Sequence, residues 1–66
     1  MRYNGFWSNE DERLVVVRTS EDGTIHYREV DKDGKKLSKL HKGHAEEVLP
    51  SFVKEGSNAP FKSMYM

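Results

Sequence analysis

Three histidines and two acidic turns are the residues whose chemistry is worth testing first. His41-Lys42-Gly43-His44 separates two imidazoles by three residues, and His26 is a third. On a helix that spacing would put two metal ligands on one face, but a zinc site needs three or four ligands and no Cys is present to join them. Glu29, Asp31, Asp33 and Gly34 fall at the first, third, fifth and sixth positions of a calcium-binding loop. The twelfth position is Leu40, where a bidentate Glu is required, and the flanks read as strands. Asp31-Lys32-Asp33-Gly34 is fully described as a turn, and surface His beside Lys describes the histidines. No metal or other cofactor is expected.

Catalysis has little to stand on. There is no cysteine nucleophile, and the serines at 8, 20, 38, 51, 57 and 63 have no nucleophile-elbow context. The five glycines are dispersed, so no phosphate-binding loop forms. Glu10, Asp11 and Glu12 are adjacent and expected to be solvated, which gives no burial to raise a carboxyl pKa. The chain is expected not to be an enzyme.

Binding is better supplied. Phe6, Trp7 and Tyr65 are aromatic side chains near the two ends of the chain, of the types that anchor protein interfaces. Trp7 is also the natural centre of a core, so it has both readings. A second set is cationic: five Lys and one Asp lie between Lys32 and His44, and Lys35, Lys36, Lys39 and Lys42 could grip phosphates beside an exposed aromatic. Against this, 11 basic and 11 acidic residues leave zero net charge and a pI near 6.8, well below that of a dedicated nucleic-acid-binding domain. The zero hides a polarity. Residues 1–31 carry four Arg and seven acids, a charge of −3, whereas residues 32–66 carry seven Lys and four acids, +3. Nucleic acid gains if the two signs lie on opposite faces and loses if they intermingle.

The elements that must position these residues belong to one domain, since the chain has only 66 residues. Such a domain hides only about 60% of its unfolded surface. The lack of cysteine excludes disulfide staples and fits a reducing compartment. No apolar run reaches about 18 residues and the N-terminus lacks a signal-peptide pattern, so a cytoplasmic protein without a membrane span is expected.

Two Asp-Gly pairs, at 22–23 and 33–34, sit between strand-like flanks and predict hairpin turns. Leu14-Val15-Val16-Val17 is β-branched and reads as a strand covered on both sides. Residues 24–30 alternate, with Ile25 and Tyr27 on one face, and could offer a pairing edge to a partner strand or a second copy. A weaker third strand is expected over 35–40 with Leu37 inward. Residues 43–49 read as a helix, and 51–55 as a second helical turn after Pro50. Residues 57–60 read as loop and 61–66 as a last strand or loose tail. The expected core is Phe6, Trp7, Leu14, Val16, Ile25, Tyr27, Leu37, Val48, Leu49, Phe52 and Val53.

The fold class is therefore mainly β with one short helix: a three- to five-stranded antiparallel meander bent into a small SH3-like barrel, over 1–56, with 57–66 as strand or tail. The order of an early aromatic pair (Phe6-Trp7), a Val-rich strand, an aromatic-bearing strand and a helical turn with spaced Val48, Leu49 and Phe52 resembles the very short accessory proteins of bacteriophages and prophages that form SH3-like barrels. That resemblance implies a product acting by binding a host or phage macromolecule, and it transfers no site residue. The reading that results is a non-enzymatic protein-binding module. The alternatives are a nucleic-acid-binding barrel using the lysine cluster, and a homodimer joined through strand edges.

Overall fold

The computed structural model describes residues 3–56 and the short strand Ala59–Pro60. The chain order is β1 (Gly5–Ser8), β2 (Arg13–Thr19), β3 (Thr24–Glu29), β4 (His41–His44), α1 (Ala45–Val48), β5 (Val53–Lys54) and β6 (Ala59–Pro60). The six described strands join one antiparallel sheet in the order β4-β3-β2-β1-β5-β6. The first four strands form a meander. The chain then crosses through α1 and returns on the far side of β1. Among the described residues the sheet is open, with β4 and β6 as its edges. β3 is paired on both sides, so the alternating segment 24–30 offers no edge to a partner.

Local chemistry explains the turns. Between β1 and β2, Asn9 Oδ1 accepts from the backbone N–H groups of Asp11 and Glu12. In the β2–β3 hairpin, Asp22 Oδ1 accepts from Thr24 N–H and Gly23 has a φ of +92°, which a side chain would resist. After β3, Asp31 Oδ1 takes the N–H groups of Asp33 and Lys35. The second turn leads only to a single bridge between Val30 and Lys36, not to the strand expected over 35–40. The strand comes later, as β4. Leu37 is therefore exposed and does not enter the core.

Residues opposite one another share a face. Trp7 pairs with Leu14, Val16 with Tyr27, and Ile25 with Gly43. These line the inner face, where Tyr3, Ala45, Leu49 and Phe52 cover them to form the core, with Tyr27 and Val48 packed at its margin. Trp7 is fully buried, and its indole Nε1–H donates to the Tyr3 carbonyl at 2.8 Å. Tyr3 and Ala45 are core residues that periodicity does not mark. Val30 is also buried, outside that cluster.

Three expected core residues lie elsewhere: Phe6 and Val53, like Leu37, are exposed. Phe6 and Val53 stand opposite Val15 and Ser8, on the outer face. The second helical turn expected over 51–55 is absent as well. The chain turns at Leu49, whose carbonyl accepts from Phe52 N–H, and goes directly into β5. The helix is only four residues long and is capped by His44, whose Nδ1 lies 3.4 Å from Glu46 N. His44 Nε2 is 2.9 Å from the Asp22 carbonyl.

Candidate functional site

The outer face of the sheet is built by the positions that alternate with the core. Its rows follow from register: Val53 with Ser8 and Arg13; Phe6 with Val15 and Arg28; Arg18 with His26 and Lys42. Between the second and third rows the pairing of β2 with β3 slips at Val17. This bulge adds one residue to β2, so Val17 and Arg18 both stand outside while Val16 and Ile25 keep their inner places. The Val-rich run predicts a second covering layer over Val15 and Val17. Instead Val17 is exposed and Val15 is half-buried.

This face combines apolar and cationic groups. Phe6, Val17 and Val53 are 37%, 46% and 40% exposed. Arg18 and Lys42 are exposed, and His26 and Arg28 are half-buried. His26 Nδ1 and Arg28 Nε are buried atoms without a hydrogen-bond partner among the described residues. An exposed apolar set beside cations is the composition of a docking surface for an acidic, partly apolar partner.

One corner is already occupied. Arg13 lies 4.2 Å from the centre of the Phe6 ring and makes a two-pronged pair with Glu55, Nε to Oε2 at 2.8 Å and Nη2 to Oε1 at 2.9 Å. Its remaining nitrogen donates to the carbonyls of Asp31 and Lys32. The guanidinium thus ties β2 to the loop after β3 and to the turn after β5. It holds the Glu55 carboxyl below the usual carboxylate range, chiefly by hydrogen bonding. With Arg13 over Phe6, that ring is not a free platform for stacking a base.

The sequence candidates scatter. Trp7 is in the core and presents no surface, whereas its neighbour Phe6 faces outward. Tyr65 lies outside the described residues. Lys35, Lys36 and Lys39 are exposed on the connection between β3 and β4, and only Lys42 is on the sheet face. That connection leaves the sheet at the end where Val30 N–H bonds the Arg13 carbonyl, which is also the end of the acidic 10–12 turn. At the other end, Arg18, Lys42 and His26 line a shallow depression together with Glu21 and Asp22. The two signs therefore intermingle at both ends.

The histidines separate too. His41 and His44 lie in a strand, where a spacing of three puts them on opposite faces. His41 packs on Tyr27 with ring centres 5.5 Å apart. Among the described residues no three His, Asp or Glu side chains are placed to hold a metal. No described helix is long and apolar enough to cross a membrane. No sequence signal marks Arg18, Arg28, Val17 and Val53 as site residues, because only the bulge and the register put them on one face with Phe6. Compared with protein-family models, with curated proteins and with solved structures, the chain shows no significant match, so its site is read from its own residues.

Proposed function

We propose that this chain is a non-catalytic binding module that docks on a protein through the outer face of its sheet. The observation that carries the reading is the partly exposed set of Phe6, Val17 and Val53 beside Arg18, Arg28 and Lys42. The partner surface is acidic around an apolar centre. The four-strand antiparallel meander and the short helix support an SH3-like reading of the fold, with the sheet open among the described residues. Its size, its strand order and the one short helix among its described residues suit the accessory role implied by the bacteriophage resemblance.

A second reading, nucleic-acid binding, draws on one observation: Lys42, His26 and Arg18 share a row of the same face. It is the weaker reading, because Lys35, Lys36 and Lys39 lie off that face and acids border both ends.

The test is affinity capture from a bacterial lysate divided in two, one half treated with nuclease, using the wild-type chain and Val17→Asp. Val17 is exposed, so the variant is expected to fold. A protein retained in both halves by the wild type and lost by Val17→Asp supports the proposal. A partner lost on nuclease treatment transfers the function to nucleic acid. Equal capture by Val17→Asp overturns the outer face as the site.

A further inference from the structure

The opposite side of the sheet carries a second feature that the outer-face reading does not use. α1 is too short to roof the whole inner face. It covers the Gly43 end, where Val48 packs, and leaves a trough of about 340 Å³ over the other end. The trough is walled by Leu14, Tyr27, Val48 and Phe52, with His41 beside Tyr27. Glu12, Glu29 and Glu47 stand around it.

Glu29 is the unexpected member. It lies opposite Leu14, in a row that runs on to Trp7, at a position where the sheet faces its core. A carboxylate there breaks the inside–outside alternation that the rest of β3 obeys, and such breaks concentrate at functional positions. Among the described residues, none of the three carboxylates has a hydrogen-bond or ion-pair partner. Three negative charges around a concave, aromatic-walled space favour a cation with an apolar stem.

We propose that this trough seats an arginine side chain from a partner polypeptide. The alkyl stem would lie on Leu14, Val48 and Phe52, the flat guanidinium would stack on Tyr27, and its N–H groups would donate to Glu29 and Glu47. Arginine fits better than lysine because its planar cation both stacks on a ring and forks to carboxylates. The site stands on the face opposite the proposed docking surface, and either can fail without the other.

The test is an NMR titration of the full chain with n-butylguanidinium, n-butylammonium and n-butanol at equal concentrations. The guanidinium is expected to move the amide signals of Tyr27, Glu29 and Val48 most. Glu29→Gln is expected to weaken that binding by about tenfold, the loss of one charge-assisted hydrogen bond. Glu47→Gln, on the exposed helix surface, is the second variant should Glu29→Gln fail to fold. Equal shifts with n-butanol, equal shifts with n-butylammonium, or shifts that survive both substitutions overturn the assignment. Sedimentation of the same chain adds one further outcome. Concentration-dependent association that Glu29→Gln or Glu47→Gln abolishes would put a second copy in the trough and overturn the separate partner.

Discussion

Arg13 and Glu55, forty-two positions apart, form a two-pronged ion pair that joins the second strand to the turn after the fifth. The pair makes stability depend on pH. Glu55 has a lower pKa folded than unfolded because Arg13 donates to its carboxylate. The stabilisation is therefore complete above the unfolded-state value and is lost as pH falls through the folded-state value. Asp22, lowered mainly by the Thr24 backbone N–H, acts in the same direction. The window opens near the ordinary glutamate value, about 4.3, and extends below it. Glu55→Gln is expected to lower the urea midpoint at neutral pH and to flatten the acid limb. The effect is modest, because the Glu55 side chain is 35% exposed. Urea titrations at a series of pH values check it, and an unchanged acid limb would show that the pair contributes nothing.

Trp7 is expected to be the most sensitive position. Trp7→Ala is expected to cost about 3–5 kcal/mol, enough to unfold so small a domain. Trp7→Phe is the measurable form. It leaves a cavity and removes the indole bond to the Tyr3 carbonyl, for an expected loss of about 2–3 kcal/mol. That corresponds to a fall in Tm of roughly 10–20 °C. A Trp7→Phe protein that melts like wild type would contradict the core geometry.

Gly43 and Val48 offer a cleaner packing test. A Cβ built on Gly43 would stand 2.9 Å from Val48 Cγ2 and 3.5 Å from Tyr27 Cε1. Gly43→Ala is expected to cost about 1–3 kcal/mol by overpacking. Val48→Ala removes the obstructing methyl groups, so the double variant should be more stable than the sum of the two losses by about 1 kcal/mol. Thermal denaturation of the four proteins in the cycle measures this, and strict additivity would refute the contact.

His44 starts the helix and anchors it to the hairpin. His44→Ala is expected to cost about 0.5–2 kcal/mol, as for other lost N-caps. His44→Asn should recover part of that loss, since its side chain can cap α1 but is shorter than the imidazole that meets Asp22. Equal stability of the two variants would mean that the cap carries no energy.

How far the residues announced this structure differs by element. The Val-rich and alternating strands were legible because a repeat of two on a half-buried surface is a local property, and the Asp-Gly turns were legible through their glycine. β4 was not, since His41-Lys42-Gly43-His44 has neither β-branching nor alternation, and its place is set by pairing with β3. β5 reads as helix in the sequence because Val48, Leu49, Phe52 and Val53 recur at helical spacing, while Val53 in fact faces outward. Phe6 looked like core by type alone, and register put it outside. Arg13 gave no local signal, because its partners at Phe6, Asp31, Lys32 and Glu55 meet only in three dimensions. The trough was invisible for the same reason: Glu12, Glu29 and Glu47 come from three separate elements.

The return of the chain to β1 has a consequence for how the protein is made. β1 sits inside the finished sheet, yet its second neighbour is residues 53–54. During synthesis from the N-terminus, the meander of β1 to β4 can assemble while β1 still presents an open row of N–H and C=O groups. That row closes only when Lys54 has left the ribosome. Until then the nascent chain carries the exposed edge on which strand exchange and aggregation start.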